Sequence, residues 1–358
     1  MRGCEPLAAQ IDEYLRSWNI RDGGDGRSIL LPYVCPRFST GEAKGMIRES
    51  VRGYDLYILA DVFNYGVTYK MYEMEVPMSP DDHFQDLKRI IAATNGKARR
   101  LTVIMPLLYE GRQHRRFARE SLDCALALQE LTAMGVHNII TFDAHDARVQ
   151  NAIPLHGFEN VRTTYQMIRA LLNTAEDLEI DRNRIMIVSP DEGGMASCIY
   201  YATVMGLDLG MFYKRRDYTK VIDGRNPIVS HEFLGERLDG KDVIVVDDII
   251  ASGESVLSIL KRIKDLGAHR IFVFATFGQF CSGLDAFDRA YEDGLVERVY
   301  TTNLIYQPQA LLSRKWYCSV DMSKYIAYIV STLNFDQSLS HLLDPSARIE
   351  KVLSSKRK

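Results

Sequence analysis

The run "VIVVDDIIASGES" (residues 243–255) carries two adjacent carboxylates, Asp247 and Asp248, out of an apolar stretch and into a small, hydroxyl-rich turn. Desolvating neighbouring carboxylates is costly, so a buried strand keeps them only where they meet cations or hydroxyls. The turn, Ala251 to Ser255, opens a helical pattern. Backbone N–H groups and the helix dipole make such a start a seat for phosphate. In open α/β sheets, ligands bind beyond the carboxyl ends of the strands. Acids for sugar hydroxyls and a phosphate cradle a few residues on describe a ribose 5-phosphate site. Its residues would be Asp247, Asp248, Ser252, Gly253, Glu254 and Ser255. The plainer account is a strand, an acidic turn and an N-capped helix.

Other clusters have the right chemistry for a phosphoryl reaction. "MFYKRRDYTK" sets Lys214, Arg215 and Arg216 consecutively after a strand. Charge runs are usually exposed turns, yet a moving polyphosphate needs compact positive charge aimed at its oxygens. "FDAHDARVQ" brings Asp143 and His145 to a strand end, "VSPDEGG" brings Asp191 to another, and "YEGRQHRR" holds Arg112 and Gln113 in a basic loop. Alone, His145 is as readily a satisfied histidine as a ligand, and Arg112 and Gln113 read equally as surface residues. "GERLDGKD" spells G-x-x-x-x-G-K from Gly235 to Lys241, but Asp242 stands where a phosphate loop needs Ser or Thr. A strand rather than a helix follows it, so it is a turn.

The elements that must position these residues are legible as a rhythm. Apolar β-rich runs recur as "YDLYILADV", "RLTVIMPLLY", "NIITFDAHD", "RIMIVSPDEGG", "DVIVVDDII", "RIFVFATFG" and "RVYTTNLI". Continuous runs of this kind are buried parallel strands. Between them, residues 255–266 place Val256, Ile259, Leu260, Ile263 and Leu266 on one helical face, stopping at Gly267. Residues 120–134 do the same with Cys124, Ala127, Leu128, Leu131 and Met134, stopping at Gly135. Alternating strands and helices mean an α/β architecture with parallel sheets.

A chain of 358 residues is too long for one ordinary core. Two α/β halves, residues 1–160 and 161–358, joined near "HGFENVRTT", are the natural division. With 46% hydrophobic and 25% charged residues and a formal charge of -3, the composition is that of a soluble globular protein. It gives no reason to expect nucleic acid or a membrane surface as partner. No apolar run approaches the roughly 18 residues of a membrane helix. The N-terminus lacks the apolar core of an export signal. The six cysteines are scattered without a C-x-x-C pair, which suits reduced thiols and a cytoplasmic location.

The acidic pair and its hydroxyl-Gly loop resemble the phosphoribosyl-pyrophosphate loop of the type I phosphoribosyltransferase fold. Members of that superfamily spend this compound, make it or sense it. The Lys-Arg-Arg triplet upstream, with "RFSTGE", "ESVRGYDLYIL", "YEGRQHRR", "FDAHDARVQ" and "VSPDEGG" in order, extends the resemblance over nearly the whole chain to the ribose-phosphate pyrophosphokinases. That resemblance implies two tandem phosphoribosyltransferase-like domains, each a mainly parallel sheet flanked by helices. It implies transfer of a diphosphoryl group from Mg-ATP to ribose 5-phosphate, with Mg²⁺ as cofactor. Lys214 and Arg216 would stabilise the transferred group. Phe38, Glu42, Arg112, Gln113 and His145 would hold the nucleotide, and Asp143, His145 and Asp191 would sit at the metal. A homo-oligomer is implied too, dimer-based and with a hexamer among its candidate sizes. "RFSTGE" would then serve a neighbouring copy's site.

Several positions depart from the family pattern. Thr40 stands where an aspartate usually reads adenine, and His114 and Phe117 replace acids of the nucleotide loop. "IPLH" leaves His156 where carboxylates are often found, and Ala251 replaces the ribose-loop aspartate. These changes bear on the nucleotide more than on ribose 5-phosphate. Two other functions stay open, a noncatalytic subunit or sensor of the same family and a phosphoribosyltransferase. Lys214 and Arg216 argue against the first, and two full α/β halves argue against the second.

Overall fold

The computed structural model describes residues 1–175, 177–216 and 228–356; of residues 214–216, 228–231 and 356 it describes the backbone alone. The chain forms two compact units. The first holds Met1–Arg162 together with Asn303–Tyr306 and Asp321–Leu343; the second holds Thr163–Thr302, Gln307–Val320 and Asp344–Lys358. The first crossing falls at Arg162/Thr163, but the chain later crosses back, so the units are not the two contiguous stretches 1–160 and 161–358.

In the first unit the strands are β1 (Tyr33–Val34), β2 (Met46–Ile47), β3 (Asp55–Leu59), β4 (Thr68–Met71), β5 (Met74–Pro77), β6 (Arg100–Ile104), β7 (Asn138–Phe142) and β8 (Gly157–Val161). A parallel sheet runs in the order β3-β6-β7-β8, while β1–β2 and β4–β5 are antiparallel pairs. Ile58, Val103 and Ile139 pack with Leu87 of the helix Pro80–Ala93 and Leu128 of the helix Asp123–Ala133. The second of these helices begins three residues later than the apolar period suggests. Ser121 Oγ instead bonds Asp123 Oδ2 at 2.6 Å ahead of the first turn.

The second unit contains β9 (Ile185–Ser189), β10 (Asp208–Arg216), β11 (Ile228–Leu234), β12 (Asp242–Ile250), β13 (Ile271–Gly278), β14 (Arg298–Thr302) and β15 (Tyr317–Val320). Its sheet runs β11-β10-β9-β12-β13-β14-β15. All neighbours are parallel except β10 and β11. Central β12 shows why its sequence is continuously apolar. Val243 and Val245 enter a core with Ile259, Leu260 and Phe287, while Ile244 and Val246 enter another with Leu171, Cys198 and Ile349. Both faces are covered by helices, so alternation would expose nothing.

The helix after β12 spans Glu254–Asp265 and buries Val256, Ile259, Leu260 and Ile263. Leu266, expected on that face, is instead the C-cap and is 40% exposed, because the helix ends before it completes the turn. Residues 235–241 form the turn expected ahead of β12, with Gly240 at φ 71°. Among the described residues no helix is long and apolar enough to cross a membrane.

Candidate functional site

The acidic pair follows Val245, the last β12 residue paired with β9, while pairing with β13 runs on to Ile250. Asp247 still pairs with Ala275 of β13, and the Asp248 N–H donates to Asp247 Oδ1 at 2.9 Å. Burial, then the neighbouring Asp248, hold the Asp247 carboxyl well above the usual range, and Asp191 adds to the effect. Asp191 reaches this place from the end of β9. Its Oδ1 accepts from Gly193 N at 2.9 Å, and its carbonyl accepts from Ser189 Oγ at 2.7 Å. A Cβ on Gly194 would lie 2.9 Å from Ser189 Oγ and 3.4 Å from the Val246 carbonyl. The turn carrying Asp191 therefore lies tight against the strand end carrying Asp247.

The next residues make the turn that the ribose reading needs. Gly253 has φ 87°, in the left-handed region, and caps the helix from Glu254. A Cβ there would meet the Phe287 ring at 2.5 Å, so backbone and space both demand glycine. Glu254 N–H donates to Ser252 Oγ at 3.3 Å. Ser252 and Glu254 are exposed, and Ser255 is half-buried on the first helical turn. The second unit thus gathers Asp191, Asp247, Asp248 and residues 252–255 around one strand end.

Lys214, Arg215 and Arg216 differ from expectation in placement. They do not follow a strand but form its end. Lys214 pairs with His231 and Arg216 with Ile228 across the antiparallel β10–β11 ladder, with a bulge between Arg215 and Arg216. The extra strand β11 prolongs β10 beyond its parallel partner β9, whose pairing stops at Met211. The side chains of Lys214 and Arg216 lie outside the described residues.

The nucleotide-side candidates all belong to the first unit. Phe38 is 53% exposed in a tight turn closed by Phe38 N to the Glu42 carbonyl at 2.7 Å. Thr40 Oγ1 donates to Glu42 Oε2 at 3.0 Å, so one lone pair of that carboxylate is taken within the loop. Arg112 and Gln113 are exposed on the loop after Tyr109. Asp143 follows β7 with φ 37°, a strained value for a residue other than glycine. Its N–H is nevertheless bonded to the Val161 carbonyl at 2.9 Å. Among the described residues, no three or more His, Cys, Asp and Glu side chains are arranged to hold a metal ion.

None of the motifs above contains the residues that hold these loops. The helix Pro80–Ala93 anchors two of them. Arg37, whose side chain is only 7% exposed, reaches Asp86 at 3.2 Å and Asp82 at 3.5 Å and lies over the Tyr69 ring. Tyr109 donates to Asp81 at 2.6 Å and stacks on Phe84 with centroids 4.2 Å apart. The signal was present in "SPDDHFQD": acids in a first turn suit the helix dipole, but Asp82 and Asp86 recur four apart and face a cation.

The N-terminal domain of ribose phosphate pyrophosphokinase matches residues 1–135, a phosphoribosyl transferase domain matches 159–285, and a phosphoribosyl synthetase-associated domain matches 228–344. The chain is 28% identical over 301 residues to a ribose-phosphate pyrophosphokinase of Prochlorococcus marinus, covering 84% of this chain and 79% of that one. With the corresponding protein of Mycoplasma pneumoniae it shares 29% over 273 residues, 75% of each. In structure it is similar to phosphoribosylpyrophosphate synthetase from Mycobacterium smegmatis. That comparison has TM-score 0.75 and 20% identity, and it covers 94% of this chain and 97% of that one. At that identity the likeness speaks for the fold.

Proposed function

This chain belongs to the ribose-phosphate pyrophosphokinase family, and from that membership we propose how its own residues carry the family's reaction. The reaction makes 5-phosphoribosyl 1-pyrophosphate and AMP from ribose 5-phosphate and ATP. The C1 hydroxyl oxygen attacks the β-phosphorus, the bond to the α-phosphate oxygen breaks, and the hydroxyl proton is lost.

The observation that carries the reading is the β12 end. Two carboxylates meet a left-handed glycine turn at a helix start, within the stretch that matches a phosphoribosyl transferase domain. Asp247 and Asp248 accept from the ribose hydroxyls, and Ser252 to Ser255 seat the 5-phosphate with backbone N–H groups. Lys214 and Arg216 neutralise charge on the moving diphosphoryl group. Arg112 and Gln113 hold the base and triphosphate, His145 lies beside the Mg-ATP, and Phe38 and Glu42 serve the nucleotide of a neighbouring copy. The nucleotide residues thus belong to the first half of the chain and the ribose residues to the second.

Mg²⁺ is the fitting metal. Asp143 and His145 are the candidate ligands in the first unit and Asp191 the one in the second, and Mg²⁺ commonly takes one or two carboxylates with the rest from phosphates and water. Bound, it would offset the negative charge of the phosphates. The six cysteines are free thiols, which supports a cytoplasmic setting. A dimer-based homo-oligomer completes the proposal. Light scattering at assay concentration checks it, and an active monomer would overturn it.

Purified protein given ribose 5-phosphate, Mg²⁺ and ATP should release AMP, and Lys214→Ala should lower kcat about a hundredfold or more with little change in ribose 5-phosphate affinity. Binding of ribose 5-phosphate without AMP from any nucleoside triphosphate would instead favour a noncatalytic sensor. An unchanged kcat in the Lys214 variant would remove the proposed role of that side chain.

A further inference from the structure

We propose that His114 is a positioning residue that latches the loop of Arg112 and Gln113 to the turn of Asp143 and His145. It would thereby set the grip on the nucleotide. The inference rests on the assignment of those residues to the nucleotide.

Three observations converge on it. The His114 and His145 rings meet edge to face, with centroids 5.3 Å apart and planes at 61°. His114 Nε2 faces Asp146 Oδ2 at 3.5 Å, with only 11% of the His114 side chain exposed. Asp146 is itself pinned, because its Oδ1 accepts from both the backbone N and the Nε of Arg148 at 2.9 Å and caps the 3₁₀ turn Ala147–Ala152. His114 therefore bridges two loops, its Nε2 toward the Asp146 carboxylate and its ring against that of His145.

Packing alone gives no reason for a histidine here. His114 Nδ1 is buried and has no hydrogen-bond partner among the described residues, and leaving a ring nitrogen so is unfavourable. An apolar side chain would fill the space without that cost. What only an imidazole supplies is a flat edge against His145 together with a nitrogen toward Asp146. Groups that orient a ligand-holding histidine matter to affinity although they touch no ligand.

The test uses the full chain and two variants. His114→Ala removes both contacts, and His114→Phe keeps a ring beside His145 but loses the nitrogen toward Asp146. Carbon–proton spectra of the eight histidines, with His145→Gln to assign one of them, report on the His145 ring. Binding of Mg²⁺–ATP without ribose 5-phosphate reports on the grip. The expected result is a displaced His145 signal in His114→Ala and ATP affinity weakened about tenfold. His114→Phe should fall between it and wild type, with the ribose 5-phosphate KM within about twofold in both. A His145 signal and an ATP affinity unchanged in either folded variant would overturn the latch. Wild-type protein that binds ATP and shows these shifts but forms no AMP would sink the proposed reaction while leaving the latch standing. Wild-type protein that fails to bind ATP would overturn both.

Discussion

Asp247 sits between two other carboxylates, and its carboxyl is held well above the usual range, first by burial and then by Asp248, with Asp191 contributing. A carboxyl raised in the folded state favours folding below its unfolded pKa, and that contribution is lost as pH rises through the folded pKa. The pair therefore costs more stability the further pH climbs through that window, as expected of a site kept for binding rather than for folding. Asp248→Asn removes the like charge. It should raise the thermal midpoint on the alkaline side of the window while weakening ribose 5-phosphate affinity about tenfold or more, the scale of a hydrogen bond to a charged group. Thermal scans across pH and the KM for ribose 5-phosphate check both halves. A variant with lower stability and an unchanged KM would contradict this account of the strand end.

At the scale of elements, the helix Pro80–Ala93 does more than cover the first sheet. Its Asp86 receives Arg37 at 3.2 Å and Arg89 at 2.7 Å, its own side chain only 2% exposed. Its Asp81 and Phe84 hold Tyr109 ahead of the Arg112 loop. Removing one partner of a buried ion pair leaves an uncompensated charge. Asp86→Ala should therefore cost about 3 kcal/mol in urea unfolding and also raise the KM for ATP, since Arg37 precedes Phe38 in the same turn. A loss of stability without any change in that KM would mean that the helix supports the fold but not the nucleotide loop.

Across the molecule, the chain's return to its first unit brings contacts between residues distant in sequence. Tyr306 N donates to Asp61 Oδ2 at 2.7 Å, Arg100 Nη2 donates to the Leu333 carbonyl at 3.1 Å, and Trp18 stacks on Tyr328 at 4.5 Å. Burial pushes the Asp61 carboxyl up to about 6, despite the N–H groups of Phe63 and Tyr306 that favour its charge. Asp61 thus contributes stability below its unfolded value near 4, lost as pH rises to about 6. Asp61→Asn cannot titrate, so the wild-type advantage over this variant should shrink as pH rises through that interval. Urea midpoints at pH 4.5 and 7.5, values chosen to bracket the window about pH 6, check it. An advantage that grows with pH would reverse the argument.

Local pattern was enough for much of this molecule. The seven apolar runs each became a strand, and the acidic pair and Gly253 turn lie at a strand end and a helix start, because burial period and backbone allowance are properties of neighbouring residues. The half-polar β8 was passed over, since "GFENV" lies at a sheet edge and carries no continuous apolar run. The β10–β11 ladder that extends Lys214 to Arg216 along a strand, the crossing back at Asn303 and Asp321, the seat of Arg37 on Asp86 and the meeting of His114 with His145 were settled only in three dimensions. Each depends on a partner outside the local pattern, and no residue's own type or spacing states which partner the packed core will bring to it.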